Sequence, residues 1–96
     1  MVTRWSPVAI SQLQKAYRYI KKDSPQNAEK VRNEIVAVTI SLALNAERFP
    51  PDKYKQRNDG SYRAFELHRY RISYKIMKDV ILVVRLRHTG MSPLSY

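Results

Sequence analysis

The sequence predicts an α+β domain: an N-terminal strand and a helical hairpin packed on a small antiparallel β-sheet. Two observations support this prediction. Apolar residues recur at steps of three and four in the first half of the chain, as on one face of a helix. After residue 61 they recur at steps of two, as on one face of a strand. Ninety-six residues suit one core, so residues 1–96 are predicted to form a single domain.

The first helix is predicted to begin at Ser6-Pro7, directly after a candidate edge strand over residues 1–5. A serine oxygen can accept an unpaired backbone N–H at a helix start, and proline suits the first helical position because it has no N–H. Lys21-Lys22-Asp23 ends the helix. Its apolar stripe consists of Ala9, Leu13, Ala16, Tyr17 and Ile20.

A second helix is predicted from Ser24-Pro25, which repeats the same start signal after a very short turn. The stripe on this helix is Ala28, Val31, Ile35, Val38 and Leu42. The β-branched run over residues 35–40 also suits a strand, but the flanking periodicity favours a helix. So short a connection makes the pair an antiparallel αα-hairpin. Phe49-Pro50-Pro51 is predicted to end the second helix.

The second half of the chain is predicted to form three strands. A polar loop over residues 52–60 ends in the turn signal Asn58-Asp59-Gly60. Strands follow at Tyr62–Leu67, at residues 70–77 and at residues 80–87. With the edge strand at the N-terminus, these segments form the sheet on which the helices pack.

The last hairpin brings basic residues together if its loop has an odd number of residues. A loop of Lys78-Asp79 alone would split the apolar residues between both faces, so a three-residue loop with a bulge is predicted. Tyr70, Ile72, Tyr74 and Ile76 then share a face with Val80, Leu82, Val84 and Leu86. The opposite face gathers Arg71, Lys75, Arg85 and Arg87.

Arginines that face each other across neighbouring strands repel, so this face is expected to bind an anion. The guanidinium fork matches phosphate or carboxylate, with Arg71 opposite Arg85 or Arg87. The alternative is that these residues are simply the solvated side of an open sheet, which is the commoner case for any one of them.

The charge balance favours a polyanionic partner. Eighteen Lys and Arg residues against eight Asp and Glu give a net charge of +10. Residues 1–47 hold seven bases and four acids, whereas residues 48–96 hold eleven bases and four acids, so the partner is expected at the second half. Further candidate nucleic-acid-binding residues there are Lys53, Lys55, Arg57, Arg63, Arg69 and Lys75.

Several functional classes are disfavoured. Cysteine is absent, two histidines make no ordinary zinc site, and two glycines make no phosphate-binding loop. We therefore expect neither a metal nor a cofactor. No apolar run is long enough to span a membrane and no secretory signal is recognised, so the cytoplasm is the expected location.

Two residues are candidates for roles beyond charge. His88 follows Arg87 at the end of the last strand, where an imidazole can serve as a general acid or base. A lone histidine is, however, more often structural or merely exposed. Tyr96 can stack on an RNA base or cover the edge of the core, and the sequence leaves both readings open.

Three phrases resemble the RelE/ParE toxin superfamily over nearly the whole chain. They are Trp5-Ser6-Pro7-Val8-Ala9, Tyr70-Arg71-Ile72-Ser73-Tyr74 and Val83-Val84-Arg85-Leu86-Arg87-His88. The resemblance implies a type II toxin, of the kind found in plasmid stabilisation systems, that an acidic antitoxin neutralises. Members of the RelE branch cleave mRNA in the ribosomal A site, and members of the ParE branch poison DNA gyrase.

The resemblance also implies site residues. Arg71 matches the arginine that RelE-like enzymes place against the scissile phosphate, and Arg85 or Arg87 matches the basic residue of their final strand. His88 resembles the general acid of some relatives, and Tyr96 resembles the C-terminal tyrosine of others. Where some RelE enzymes carry alternating lysines, this chain has Ala64-Phe65-Glu66, which implies a different base such as Glu66, Lys53 or Lys55.

We consider three hypotheses and favour the first, because an arginine-rich sheet face with an adjacent histidine suits phosphate chemistry. The first is a metal-independent, ribosome-dependent mRNA endonuclease, in which arginines hold the pentavalent phosphate formed by attack of the ribose 2′-hydroxyl. The second is a gyrase inhibitor without catalysis of its own. The third is a nucleic-acid-binding domain without toxicity, which composition alone would permit.

Overall fold

A computed structural model describes all 96 residues. The elements follow in the order β1 (Val2–Trp5), α1 (Pro7–Lys21), α2 (Pro25–Ser41), β2 (Tyr62–Leu67), β3 (Tyr70–Ile76) and β4 (Val80–His88). The two helices pack on one face of a four-stranded sheet of order β1-β4-β3-β2. The α+β prediction is confirmed. Neither helix has the length and apolar character needed to cross a bilayer.

Both helices begin where the sequence predicts. The Ser6 hydroxyl oxygen accepts the Ala9 backbone N–H at 3.1 Å, and the Ser24 oxygen accepts the Asn27 N–H at 3.1 Å. In each helix a proline occupies the first turn, where its missing N–H leaves nothing unpaired. The two Ser-Pro signals therefore set both helix starts by the expected capping chemistry.

The predicted end of the second helix is wrong. α2 stops at Ser41, well before the two prolines. Beyond it the chain tightens into i→i+3 turns, with N–H···O bonds of 3.2 Å from Ala43 to Ile40 and of 3.1 Å from Leu44 to Ser41. The Ser41 hydroxyl also donates to the Val38 carbonyl at 2.6 Å, an alternative to regular helical bonding.

The sheet is mixed, whereas the prediction was antiparallel. β1 lies at the edge, as expected, but pairs in parallel with β4, from Val2 opposite Val80 to Trp5 opposite Val83. The helical hairpin between β1 and the rest of the sheet supplies the long connection that parallel pairing requires. Strands β2, β3 and β4 are antiparallel to their neighbours.

The hairpin between β3 and β4 places its arginines on the predicted face, but its loop differs from the predicted one. The Met77 N–H donates to the Val80 carbonyl at 2.8 Å, so the loop is Lys78-Asp79 and not three residues. A bulge then leaves Val84 without a partner, because Tyr74 pairs with Val83 and Ser73 with Arg85.

The bulge changes which residues of β4 face the helices. Ile81 and Val83 before it and Leu86 after it are buried in the core. The predicted inward positions of Val80, Leu82 and Val84 are therefore wrong. After the bulge, the side chains again alternate between the two faces of the sheet, but even-numbered residues now face the helices. Arg85 and Arg87 therefore lie on the side away from the helices.

Candidate functional site

The site is built on the side of the sheet opposite the helices, which we call the arginine face. It carries Arg71, Lys75, Arg85 and Arg87, the four residues predicted to gather there, with Arg71 directly opposite Arg87. Glu66 of β2 lies beside Arg71 in the sheet. A shallow cleft of about 60 Å³ opens here and is lined by Tyr54, Glu66, Arg71, Ser73, Arg85, Arg87, His88, Thr89, Met91 and Pro93.

A buried carboxylate organises one end of this face. The Asp52 side chain is 0% exposed, and its Oδ1 lies 2.9 Å from a terminal nitrogen of Arg71. Oδ1 also accepts the Tyr54 backbone N–H at 3.1 Å, and Oδ2 accepts the Tyr96 hydroxyl at 2.6 Å. A backbone bond from the Asp52 N–H to the Tyr62 carbonyl at 2.8 Å holds this residue beside β2.

The ionised form of Asp52 is favoured in spite of its burial. Burial raises the pKa of Asp52, but hydrogen bonds from Tyr96, Arg71 and the Tyr54 backbone outweigh it and lower the pKa from 3.8 to about 2. The carboxylate is therefore a fixed negative charge at neutral pH.

Arg71 is bound by carboxylates of the same chain. Its second terminal nitrogen donates to Glu66 at 3.1 Å, and its guanidinium lies over the Tyr54 ring at 4.9 Å. Only 16% of the Arg71 side chain is exposed. The anion that the facing arginines were expected to need is thus supplied, at Arg71, by Asp52 and Glu66. The buried Arg71 Nε and Ser73 Oγ have no hydrogen-bond partner.

The two β4 arginines have neutral partners. Arg85 donates to the Leu94 carbonyl at 2.6 Å, and Arg87 donates to the Ser92 carbonyl at 3.0 Å. The ion pairs of the protein are His68–Glu34, Arg71–Asp52 and Arg71–Glu66, so neither β4 arginine contacts a carboxylate. Their charges are covered by backbone and are not neutralised.

Tyr96 is held against the loop that follows Pro51. Its N–H donates to the Tyr54 carbonyl at 3.0 Å, and its carbonyl accepts the Gln56 N–H at 2.5 Å. The ring lies 3.9 Å from the Arg85 guanidinium carbon. Burial raises the pKa of Tyr96, and the bond to Asp52 raises it further. The Tyr96 ring packs against Tyr62 and Arg85 on the arginine face and not at the edge of the core, and stacking on a base stays a prediction.

His88 turns towards the helix side of the sheet. It pairs with Tyr70 across β3 and β4, and the two rings meet edge to face at 5.1 Å. Its Nδ1 accepts the Gly90 N–H at 2.9 Å. The imidazole therefore packs on a core residue, although His88 also lines the cleft of the arginine face.

The remaining predicted contacts divide into three groups. Lys75 lies on the arginine face and Lys55 adjoins it, with ammonium groups 5.3 Å and 4.8 Å from the centre of the Tyr62 ring. Arg63 lies on the other face and donates to the Phe49 and Gly60 carbonyls at 2.8 Å and 3.2 Å. The rest are exposed in turns: Lys53, Arg57 and Arg69. Binding of nucleic acid by any of the six stays a prediction.

The sequence matches the family described as ParE toxin of type II toxin-antitoxin system, parDE, over residues 3–93. The chain belongs to the ParE toxin family. This confirms the RelE/ParE resemblance and makes the protein a toxin of a type II toxin–antitoxin system. Comparison with curated proteins gives no match to this chain.

Two solved structures show the same fold. One is the chromosomal ParDE toxin–antitoxin system from P. aeruginosa, with a TM-score of 0.72 and 19% identity over 92% of this chain and 95% of that chain. The other is the toxin–antitoxin complex RelBE2 from Mycobacterium tuberculosis, with a TM-score of 0.61 and 16% identity over 91% and 88% of the two chains. Both neighbours are thus toxin–antitoxin proteins.

Asp52, which organises this site in the ParE-family toxin, was not among the site residues predicted from the sequence. It lies in a polar loop among lysines, where an aspartate is normally solvated. Its only local signal is the preceding Pro50-Pro51, which restricts the backbone but does not show what the side chain contacts. Burial of Asp52 depends on β3 and on residue 96, both far along the chain.

Proposed function

We propose that this ParE-family toxin acts by binding, as an inhibitor of DNA gyrase, and not by cutting mRNA. The observation that supports the proposal is the pairing of Arg71 with Asp52 and Glu66. Stabilising a pentavalent phosphate requires guanidinium donors preorganised towards the phosphate. At Arg71 both terminal nitrogens already donate to carboxylates and the Nε is buried, and the two carboxylates beside it repel a phosphate.

The groups needed for proton transfer are also poorly placed. Ala64 and Phe65, in the segment where RelE enzymes carry lysines, are buried at 4% and 5% exposure. His88 packs on Tyr70, and one of its ring nitrogens is used by Gly90. A binding protein needs neither a base nor an acid, so this arrangement suits gyrase inhibition better than cleavage.

One observation favours the endonuclease as a second candidate. Glu66, Arg71, Arg85 and Arg87 line a single cleft. Glu66 is 57% exposed and would be the base that replaces the missing lysines. This function requires Arg71 to leave Asp52 when RNA binds.

We further propose that the neutralising partner is an acidic antitoxin segment. The net charge of +10 attracts such a segment, and both structural neighbours are toxin–antitoxin proteins. Gyrase and ribosomes are cytoplasmic, so either target places the toxin in the cytoplasm.

Induced expression with pulse-labelling tests the proposed function. DNA synthesis is expected to stop before protein synthesis, and primer extension on translated mRNA should show no new ends. His88→Gln is a matched variant, because a gyrase inhibitor keeps its toxicity without the imidazole. An early halt of protein synthesis with cuts in translated mRNA would overturn the proposal in favour of the endonuclease.

A further inference from the structure

The last six residues of the sequence, 91–96, form a segment that we call the strap, and it lies across the β4 arginines. After a turn in which the Met91 N–H donates to the His88 carbonyl at 3.1 Å, the chain runs back along β4. Ser92 meets Arg87 and Leu94 meets Arg85. Alternate residues of the strap thus meet alternate residues of β4, as in an extended peptide running antiparallel to the strand.

The strap is held weakly along most of its length. Residues 91–95 are all exposed, with 54% exposure at Met91 and 51% at Leu94, so little apolar surface is buried. The strap contains no charged side chain, and Arg85 and Arg87 therefore donate to neutral carbonyl oxygens. A neutral carbonyl leaves the guanidinium charge unneutralised, whereas a carboxylate in the same place would add an ion pair to the hydrogen bond.

A single anchor closes the strap. Tyr96 is its half-buried residue, and it bonds through its hydroxyl to Asp52, through its N–H to Tyr54 and through its carbonyl to Gln56. Release of this residue would free the strap from the loop and leave the turn at Met91 and the two arginine contacts.

We propose that the strap is a displaceable cover over a peptide-binding surface, whose ligand is an acidic segment of a partner protein in extended conformation. The proposal rests on the proposed binding function and deepens it, because it names the donors and the form of the ligand. An extended peptide fits the path, since the strap occupies it. Carboxylates at alternate positions would replace the carbonyls of Ser92 and Leu94 and neutralise both arginines.

The closed strap lowers the measured affinity of this surface. A protein whose binding-competent form is only partly populated binds with an affinity reduced by that fraction. Weakening the anchor therefore tightens binding, whereas removing the arginines weakens it. If the strap were instead a structural part of the fold, its removal would disturb the β4 surface beneath it and weaken binding.

The test uses the whole toxin and a fluorescein-labelled hexaglutamate peptide, with binding followed by anisotropy at low salt. Deletion of residues 92–96 is expected to tighten binding about tenfold, and Tyr96→Phe about threefold. Arg85→Gln with Arg87→Gln should weaken binding about tenfold. Arg18→Gln with Lys30→Gln makes the same charge change on exposed helix positions and should cost less than about twofold.

Hydrogen exchange keeps the test decisive if the deletion variant does not fold. The amides of Tyr96 and Gln56 join strap and loop, so saturating peptide should increase their exchange in the intact protein. Protection of both amides in the saturated complex would overturn the proposal, as would unchanged or weaker binding by a folded deletion variant.

Two further measurements separate the proposal from its alternatives. If strap deletion raises the affinity for a six-nucleotide RNA more than the affinity for hexaglutamate, the surface is a nucleic-acid site and the proposal fails. Supercoiling by purified gyrase is followed in parallel, because the wild-type toxin failing to inhibit it would overturn the proposed function and leave the peptide result standing.

Discussion

Two parts of the arginine face use the same side chain for different purposes. On β3, Arg71 is bound by the buried Asp52 and by Glu66, and its charge is neutralised within the chain. On β4, Arg85 and Arg87 donate to carbonyl oxygens of the strap, and their charges are not neutralised. The comparison teaches that a shared face does not define a shared role. The charge of each acceptor separates an arginine that stabilises the fold from two that await a ligand.

The largest expected effect comes from breaking the pair on β3. Asp52→Asn leaves the Arg71 guanidinium facing a neutral amide in a buried setting, and loss of a buried partner costs about 3 kcal/mol or more in the free energy of unfolding. Urea denaturation measures this. Glu66→Gln removes the exposed partner of the same arginine and should cost less than about 1 kcal/mol. Equal losses in the two variants would mean that burial does not distinguish the two carboxylates.

Acid should weaken the same part of the molecule. The pKa of Asp52 falls from 3.8 to about 2 on folding. The contribution of its carboxylate to the free energy of unfolding is therefore fully present above about pH 4 and disappears as the pH falls to about 2. A shift of this size corresponds to about 2 kcal/mol of unfolding free energy. Denaturation as a function of pH measures it, and the Asp52→Asn variant should lack this component. An identical pH dependence in the variant would contradict the assignment to Asp52.

A smaller loss of stability is expected at Tyr96, which contacts both Asp52 and Arg85. Tyr96→Phe removes the hydroxyl that donates to Asp52 and keeps the ring over Arg85, which should cost about 1.5 kcal/mol in unfolding free energy. Tyr19→Phe is the matched control, because the Tyr19 side chain is 65% exposed and makes no hydrogen bond; its effect should stay below about 0.5 kcal/mol. Similar effects of the two substitutions in urea denaturation would show that Tyr96 does not anchor the strap.

The smallest effect is expected at His88. Its ring packs on Tyr70 and not on either group of arginines, so His88→Gln should change gyrase inhibition by less than about twofold. Removing a general acid typically slows a reaction by about a hundredfold or more. A loss of that size in toxicity, with the fold intact by circular dichroism, would return His88 to a catalytic role.

Local rules predicted much of the fold. Ser6 and Ser24 cap helices through contacts three residues away, so a short stretch of sequence contains the whole signal. The strand Tyr62–Leu67 was also predicted with its observed bounds. The placement of Arg85 and Arg87 on one face of β4 followed from alternation, which is likewise local, whereas their sharing of that face with Arg71 depends on the register across the hairpin.

The bulge in β4 could not be predicted from local alternation. Residues 80–84 are apolar at every position, so no alternation shows which of them face the core. The predicted odd loop and the observed two-residue loop with a bulge at Val84 both place the arginines outward. They differ only in the apolar residues that face the helices, and the sequence of this run does not distinguish them.

The buried partner of Arg71 could not be predicted because it is distant in sequence. Asp52 precedes Arg71 by 19 residues and Tyr96 by 44 residues, and only the folded sheet brings the three together. The parallel pairing of β1 with β4 has the same origin. The sequence therefore predicted which residues carry the charge, but not which charges are already neutralised.

The most direct test of these two roles is the inhibition of DNA supercoiling by purified gyrase. Arg71→Lys keeps a positive charge beside Asp52, whereas Arg85→Gln with Arg87→Gln removes the charges that have no carboxylate partner. We expect the folded Arg71→Lys toxin to inhibit within about twofold of wild type and the double variant to lose about tenfold or more. Loss of inhibition in the folded Arg71→Lys toxin, with full inhibition by the double variant, would contradict this expectation.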